Sequence, residues 1–349
     1  MTRDEQYMHR CLELASNGIC SVAPNPMVGS VIVKDDCIIG EGFHQQYGGA
    51  HAEVNAINSV TNKDWLRNST LYVNLEPCAH YGKTPPCSEL LIQAGIPRVV
   101  IGSSDPNPIV NGKGISLLLQ AGCKVTTGVL EQEANELNKR FIHFQKKGRP
   151  FFILKWAETD DGFIDRLRNP GEIMQPTWIT DDVCRMLVHR WRTEEQAVMI
   201  GTNTALMDNP QLSARYWPGN QPVKLILDRE LKIPIYFNLF RPSAPTYIFN
   251  TLINKSEGLI HYVKTDFEDL ISNLIHFLNN NGIQSVLIEG GSRLMQSFIE
   301  KGFWDEARIF TGPVQFGKGL KSPHLSGRCI LEDQISNSRL RILRPAADL

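Results

Sequence analysis

The chain has 349 residues, too many for one ordinary core, and at roughly 150 residues per domain the length implies about two. Its 42% hydrophobic and 21% charged residues exclude a disordered, collagen-like or low-complexity chain. With 36 Lys and Arg against 37 Asp and Glu the formal net charge is −1, which removes the bulk electrostatic case for a nucleic-acid binder. Any anionic ligand must then be held by a few placed residues.

The charged start, Met1-Thr2-Arg3-Asp4-Glu5, runs into a helical pattern over Asp4 to Asn17, where Tyr7, Met8, Cys11, Leu12 and Leu14 recur at helical spacing. It does not read as a secretory leader, and no apolar run approaches the ~18 residues of a membrane span, so a cytoplasmic protein is expected. Val28 to Val33 and Cys37 to Ile39, joined by Lys34-Asp35-Asp36, read as a hairpin. A helix over His51 to Val60 follows. Strands are then expected at Thr70 to Leu75, Val99 to Gly102 and Lys124 to Thr127, separated by helices over Cys87 to Ala94, Gly114 to Ala121 and Glu131 to Phe144. This alternation predicts a three-layer α/β domain over residues 1–146. The basic stretch Lys146-Lys147-Gly148-Arg149-Pro150 reads as a linker. A second α/β domain is expected over 150–349. Its strands fall at Phe151 to Ala157, Ala197 to Ile200, Val223 to Leu227, Thr246 to Phe249 and Ser285 to Ile288, and its helices at Asp181 to Arg192, Phe267 to Asn280 and Ser292 to Glu300.

The chemistry concentrates first at His51-Ala52-Glu53, Pro77-Cys78 and Cys87. One imidazole and two thiolates leave one position of a tetrahedral zinc for water, the open arrangement of a catalytic site. Such a metal makes water a nucleophile near neutral pH, and Glu53, two residues after the histidine, is the expected proton carrier. The reaction class is hydrolytic deamination of an amino-heterocycle. The other cysteines, Cys11, Cys20, Cys37, Cys123, Cys184 and Cys329, are expected to be small core hydrophobes rather than disulfide partners.

Longer motifs surround these residues: Asn25-Pro26-Met27-Val28-Gly29, Gly42-Phe43-His44, His51-Ala52-Glu53-Val54, Glu76-Pro77-Cys78-Ala79-His80-Tyr81-Gly82-Lys83-Thr84-Pro85-Pro86-Cys87, Asp105-Pro106-Asn107-Pro108 and Leu137-Asn138-Lys139. Together they make the chain similar to the bifunctional deaminase/reductase family of riboflavin biosynthesis. The resemblance implies a cytidine-deaminase-like N-terminal domain acting on 2,5-diamino-6-ribosylamino-4(3H)-pyrimidinone 5′-phosphate. It assigns Asn25, His44, His80 and Lys83 to substrate binding. General cytidine and tRNA adenosine deaminases keep two residues between the cysteines; the eight here carry His80 and Lys83, donors suited to a sugar phosphate.

In the second half no Gly-x-Gly-x-x-Gly fingerprint occurs, but Ser285-Val286-Leu287-Ile288-Glu289-Gly290-Gly291-Ser292 is a strand opening through Gly-Gly into a helix, where backbone N–H groups can approach a phosphate. The resemblance extends here through Lys155-x-Ala157, Asp161-Gly162, Trp178-Ile179-Thr180, Arg192, Gly201-Thr202-Asn203-Thr204 and Asp208-Asn209-Pro210-Gln211-Leu212. It implies a dihydrofolate-reductase-like domain that uses NADPH to reduce the ribosyl group to ribityl. Implied cofactor contacts are Ala157, Trp178, Thr204, Asp208 and the run Gly291, Ser292, Arg293, Leu294, Met295, Gln296 and Ser297. Implied substrate contacts are Lys155, Arg192, Leu212, Arg215 and Glu289, with Arg192 and Arg215 as phosphate ligands and Lys155 and Glu289 as candidates for moving protons. The chain departs from the family at Thr159-Asp160, in a longer Gly162 to Trp178 stretch with Arg166 and Arg168, and at Pro176. Zinc and NADPH are the expected cofactors, and a homo-oligomer without nucleic-acid or membrane partners is expected. The alternative is a deaminase whose C-terminal domain binds nucleotide without reducing anything.

Overall fold

The structure is a computed structural model that describes residues 1–81, 85–107, 111–168 and 175–346. The chain divides into two compact units, Met1–Arg149 and Pro150–Leu349.

In the first unit the elements run α1 (Arg3–Ser16), β1 (Gly29–Lys34), β2 (Cys37–Phe43), α2 (Ala52–Ser59), β3 (Thr70–Leu75), α3 (Cys87–Gln93), β4 (Arg98–Ser103), α4 (Lys113–Gln120), β5 (Lys124–Thr127), α5 (Glu131–Leu137) and α6 (Lys139–Lys147). Among the described residues they form a five-stranded sheet ordered β2-β1-β3-β4-β5. The hairpin and the β1/β3 pair are antiparallel, whereas β3, β4 and β5 are parallel. α1 starts at a capping box, the Thr2 hydroxyl accepting from the Glu5 N–H and the Glu5 carboxylate from the Thr2 N–H, which satisfies two of the helix's orphan donors. Apolar side chains fill both faces: Ile32, Leu71, Val73, Val99 and Ile101 on one, Val31, Tyr72 and Val100 under α1 on the other.

The single helix expected over Glu131 to Phe144 is two. Asn138 interrupts it because its buried side chain is committed elsewhere: Oδ1 accepts the Met27 N–H at 2.8 Å and Nδ2 donates to the Met27 carbonyl at 2.9 Å. Asn74 holds the same segment, donating to the Met27 carbonyl at 3.0 Å and accepting the Gly29 N–H at 2.8 Å.

The second unit continues with β6 (Phe151–Thr159), β7 (Phe163–Arg166), α7 (Asp182–Glu194), β8 (Ala197–Gly201), α8 (Thr202–Asp208), β9 (Val223–Leu227), β10 (Thr246–Asn250), β11 (Lys255–Glu257) and β12 (Ile260–Lys264). α9 (Leu270–Asn280), β13 (Ser285–Ile288), α10 (Ser292–Glu300), β14 (Glu306–Gly312), β15 (Gly319–Lys321), β16 (Arg328–Ile335) and β17 (Ser338–Arg344) complete it. Among the described residues the main sheet has ten strands in the order β11-β12-β10-β9-β8-β13-β6-β14-β17-β16, and β7 and β15 pair separately. The strands from β12 to β14 are parallel, flanked by antiparallel edges. β14 is buried throughout although it carries Glu306 and Arg308. Arg308 reaches Glu306 at 2.9 Å and Glu195 at 3.2 Å and lies over the Trp191 ring, so the charges are paired rather than solvated.

The six cysteines expected in the core divide. Cys11 and Cys184 are buried and Cys20 and Cys123 half-buried, but Cys37 and Cys329 are exposed. Cys37 opens β2 beside the hairpin turn, and Cys329 lies on the edge strand β16, positions where no neighbouring layer covers them. No helix among the described residues is long and apolar enough to cross a membrane.

Candidate active sites

In the first unit β3 delivers Cys78 just past its C-terminal end, while His51 caps α2 in extended backbone and Cys87 opens α3. The three ligand atoms lie within 4.8 Å of one another. His51 Nδ1 is 3.2 Å from Cys87 Sγ and 3.6 Å from Cys78 Sγ, and the Cys87 N–H donates to Cys78 Sγ at 3.3 Å. One imidazole and two thiols at this separation suit a four-coordinate zinc with one open position. The Cys78 thiol is pulled down to about 4 by hydrogen bonds from Cys87 and His51, and the Cys87 thiol is pushed up by the same bond and by burial. A dication in place of the shared proton would take both as thiolates.

Glu53 lies in the first turn of α2 and is buried, and burial raises its carboxyl above the usual range. His44 is buried beside the ligand group, its ring edge-on to His51 with centroids 5.7 Å apart. Its Nδ1 is 2.9 Å from the Ala50 carbonyl and must therefore carry the proton, so Nε2 accepts from the Asn25 amide at 3.1 Å. Burial holds this ring neutral by lowering its pKa. Asn25 and His44 thus stand together at the site. His80 is exposed, and the buried carboxyl of Asp105 is pushed up to about 6 by burial. Lys83 lies outside the described residues.

The residue that motif reading quoted without a role is Glu76. Only 4% exposed, it accepts backbone N–H groups from Asp105 (3.2 Å), Gly112 (3.0 Å), Gly114 (3.0 Å) and Ile115 (3.3 Å).

In the second unit a cleft of about 880 Å³ opens at the C-terminal ends of β6, β8 and β13. That is where a parallel α/β sheet presents a ligand crevice. Lys155, Arg192, Leu212, Arg215 and Glu289 line it, as do Ala157, Trp178, Thr204 and Asp208. Of the α10 run, Gly291 to Met295 line the cleft. Gln296 and Ser297 do not, because the helix turns them away: Gln296 accepts the His324 N–H at 3.0 Å and Ser297 bonds the Leu294 carbonyl at 2.7 Å. The Gly-Gly turn has a packing cause besides any ligand, since a Cβ on Gly290 would sit 2.7 Å from the Thr204 side chain.

Arg192 is not an open phosphate fork. Nε and Nη2 grip Glu289 at 2.5 and 2.8 Å, and Nη1 donates to the Ser213 carbonyl at 2.9 Å. Lys155 Nζ stands 3.9 Å from the same carboxylate. Burial works to raise the Glu289 carboxyl, but the Arg192 and Lys155 charges outweigh it and hold it below the usual range, while burial depresses the Lys155 amine. Asp208 is pushed up to about 6 by burial and by the Asp165 charge, and His189 down to about 4 by burial and by Arg192 and Arg215. Sequence reasoning missed Asp165, Thr177, Arg185 and His189 on this wall. The Thr177 hydroxyl and Arg168 both donate to Asp165, and Arg185 stacks between Trp178 and Tyr216. A helix spacing of 185, 188, 189 and 192 was the available signal for α7's cleft face.

A deaminase-type metal centre in one unit and a cleft lined by charged and apolar side chains at the strand ends of the other define a two-part α/β enzyme. Residues 1–103 match the cytidine and deoxycytidylate deaminase zinc-binding region, and residues 150–338 match the RibD C-terminal domain. The chain is 41% identical over 335 residues to riboflavin biosynthesis protein RibD of Bacillus amyloliquefaciens, covering 93% of this chain and 88% of that one. It is 38% identical over 337 residues to the RibD of Aquifex aeolicus, covering 94% and 92%. A crystal structure of a diaminohydroxyphosphoribosylaminopyrimidine deaminase/5-amino-6-(5-phosphoribosylamino)uracil reductase from Thermotoga maritima superposes with a TM-score of 0.90, at 38% identity and 99% coverage of both chains. The chain belongs to the RibD family of bifunctional riboflavin biosynthesis proteins. Both of the family's parts are present, and the deaminase-only alternative is not favoured.

Proposed function

We propose that the first unit releases the ring amine of 2,5-diamino-6-ribosylamino-4(3H)-pyrimidinone 5′-phosphate as ammonia, and that the second reduces the ribosyl group of the product to ribityl with NADPH. The observation that carries the first half is the convergence of His51, Cys78 and Cys87 with buried Glu53 at their side. These three residues would hold zinc, which when bound supplies the Lewis acidity that makes water a nucleophile near pH 7. Glu53 takes one proton from the attacking water and gives it to the ring nitrogen, then carries the water's second proton to the departing amine, so the water oxygen ends as a carbonyl and the nitrogen leaves as ammonia. Asn25 and His44 orient the ring, and His80 and Lys83 receive the phosphate.

In the second unit Ala157, Trp178, Thr204, Asp208 and Gly291 to Met295 support a nicotinamide cofactor, which supplies the hydride. Lys155 and Glu289, close together in the cleft, orient the sugar hydroxyls and handle the proton that balances the hydride. Arg192 fixes Glu289, and Arg215, exposed at the cleft, meets the phosphate.

Incubating the protein with the diamino substrate, with and without NADPH, and weighing the products by mass spectrometry tests both halves. Deaminated product alone is expected without NADPH, and the same product with two more hydrogens is expected with it. Ammonia release without NADPH oxidation would remove the reductase assignment, and no ammonia would remove the first. Glu53→Gln is expected to lower deamination by at least 10²-fold while zinc, read by metal analysis, stays bound; normal turnover would refute the proton-carrying role.

A further inference from the structure

We propose that Glu76 is a positioning residue for the metal centre: its carboxylate clamps the Cys78 segment to the N-terminus of α4 and to the loop after β4. The inference rests on the reading that His51, Cys78 and Cys87 hold zinc.

Glu76 immediately precedes Pro77-Cys78, and its own N–H is tied to the Ser103 carbonyl at 2.9 Å, which carries the β3/β4 pairing one residue past the strand. The side chain then turns toward α4. Oε1 takes the N–H groups of Gly114 and Ile115, and Oε2 those of Gly112 and Asp105. Three of these donors belong to the cap and first turn of α4, where unpaired N–H groups and the helix dipole favour a negative charge. The fourth, from Asp105, lies on the loop leaving β4.

A carboxylate at a helix start could serve the helix alone, but three observations tie this one to the metal ligand. The Pro77 carbonyl lies so close to α4 that a Cβ on Gly114 would stand 2.0 Å from its oxygen, so the ligand-bearing segment rests directly on the turn that Glu76 holds. The Cys78 carbonyl accepts the Ser88 N–H at 3.1 Å, and its sulfur accepts the Cys87 N–H, so Cys78 is held from α3 as well. Cys78 is thus held from both helices. A carboxylate satisfies four donors here because it offers two acceptor oxygens; a carboxamide keeps one oxygen and turns an NH₂ toward N–H groups that need acceptors. Groups that orient metal ligands commonly set affinity by 10- to 100-fold.

The test uses the full chain loaded with zinc: wild type, Glu76→Gln, Gly114→Ala and Leu118→Ala. The last is a buried core change in α4 away from the carboxylate. Zinc transfer to a chromophoric chelator is timed at a temperature where circular dichroism shows each variant folded, and NADPH oxidation with pre-deaminated substrate reports the second unit. Zinc loss is expected to quicken roughly 10- to 100-fold in Glu76→Gln and Gly114→Ala. Excess zinc should restore their deamination, and Leu118→Ala should keep the wild-type rate of loss. Wild-type zinc retention in folded Glu76→Gln, or equal loss from Leu118→Ala, overturns the proposal. Should Glu76→Gln not fold, Glu76→Asp, which keeps the charge and shortens its reach, is read in the same way. A wild-type protein that never holds zinc instead refutes the metal reading itself.

Discussion

Asp208 shows what a cleft costs the fold that carries it. Its carboxyl titrates near 3.8 when solvated and is pushed up to about 6 in the folded chain, by burial first and the Asp165 charge second. The folded state therefore holds its proton more tightly than the unfolded state, so ionisation destabilises the fold as pH rises from about 4 through 6. Two pKa units correspond to about 3 kcal/mol before allowance for the water an open cleft admits. Asp208→Asn is expected to stabilise the second unit by about 1 to 3 kcal/mol at pH 7, measured by thermal unfolding, with the gain vanishing by pH 4. It should weaken NADPH binding at the same time. An equal gain at both pH values would locate its cause outside the carboxylate's burial. Glu289 shows the opposite balance: it is more deeply placed, but Arg192 and Lys155 hold its carboxyl below the usual range.

At the scale of elements, Asn138 is worth most attention because it breaks one helix into α5 and α6 to reach Met27. Asn138→Ala leaves the Met27 N–H without its acceptor, while the Met27 carbonyl keeps Asn74. A stability loss of about 1–3 kcal/mol in the first unit follows. Urea unfolding should show deamination failing at lower denaturant than in wild type, with the midpoint for NADPH oxidation unmoved. The same residue marks the limit of what could be read beforehand. Periodicity carried Glu131 to Phe144 as one helix, since nothing local says that a mid-helix asparagine is paired with a backbone 111 positions away. β14 escaped for a related reason: Glu306 and Arg308 look solvated in sequence, and their ion pairs let the strand be buried. In contrast, β3, β9, β13 and α10 matched their apolar patterns because pattern alone decides those segments. Motif spacing likewise brought His51, Cys78 and Cys87 to one point. It could not show that Arg192 is spent on Glu289, or that Gln296 and Ser297 turn off the cleft, because both depend on side-chain direction.

For the whole molecule, two compact units with separate cores imply separable chemistry. Stripping zinc with a strong chelator is expected to abolish ammonia release and to leave NADPH oxidation with pre-deaminated substrate within about twofold of the untreated protein, because the ligands all lie before residue 149 and the cleft after it. Parallel loss of both activities would mean that the metal supports more than its own unit.

The strand order of the second sheet also governs when each half can be finished. β13 sits between β8 and β6, so strands 38 or more residues apart flank a partner that follows both of them in the chain. Lys155 and Arg192 emerge from the ribosome well before Glu289, and the sheet that unites them stays open until the last third of the chain is made. The first unit, complete by Arg149, has no such wait. The half that acts first on the substrate is also the half that can fold first during synthesis.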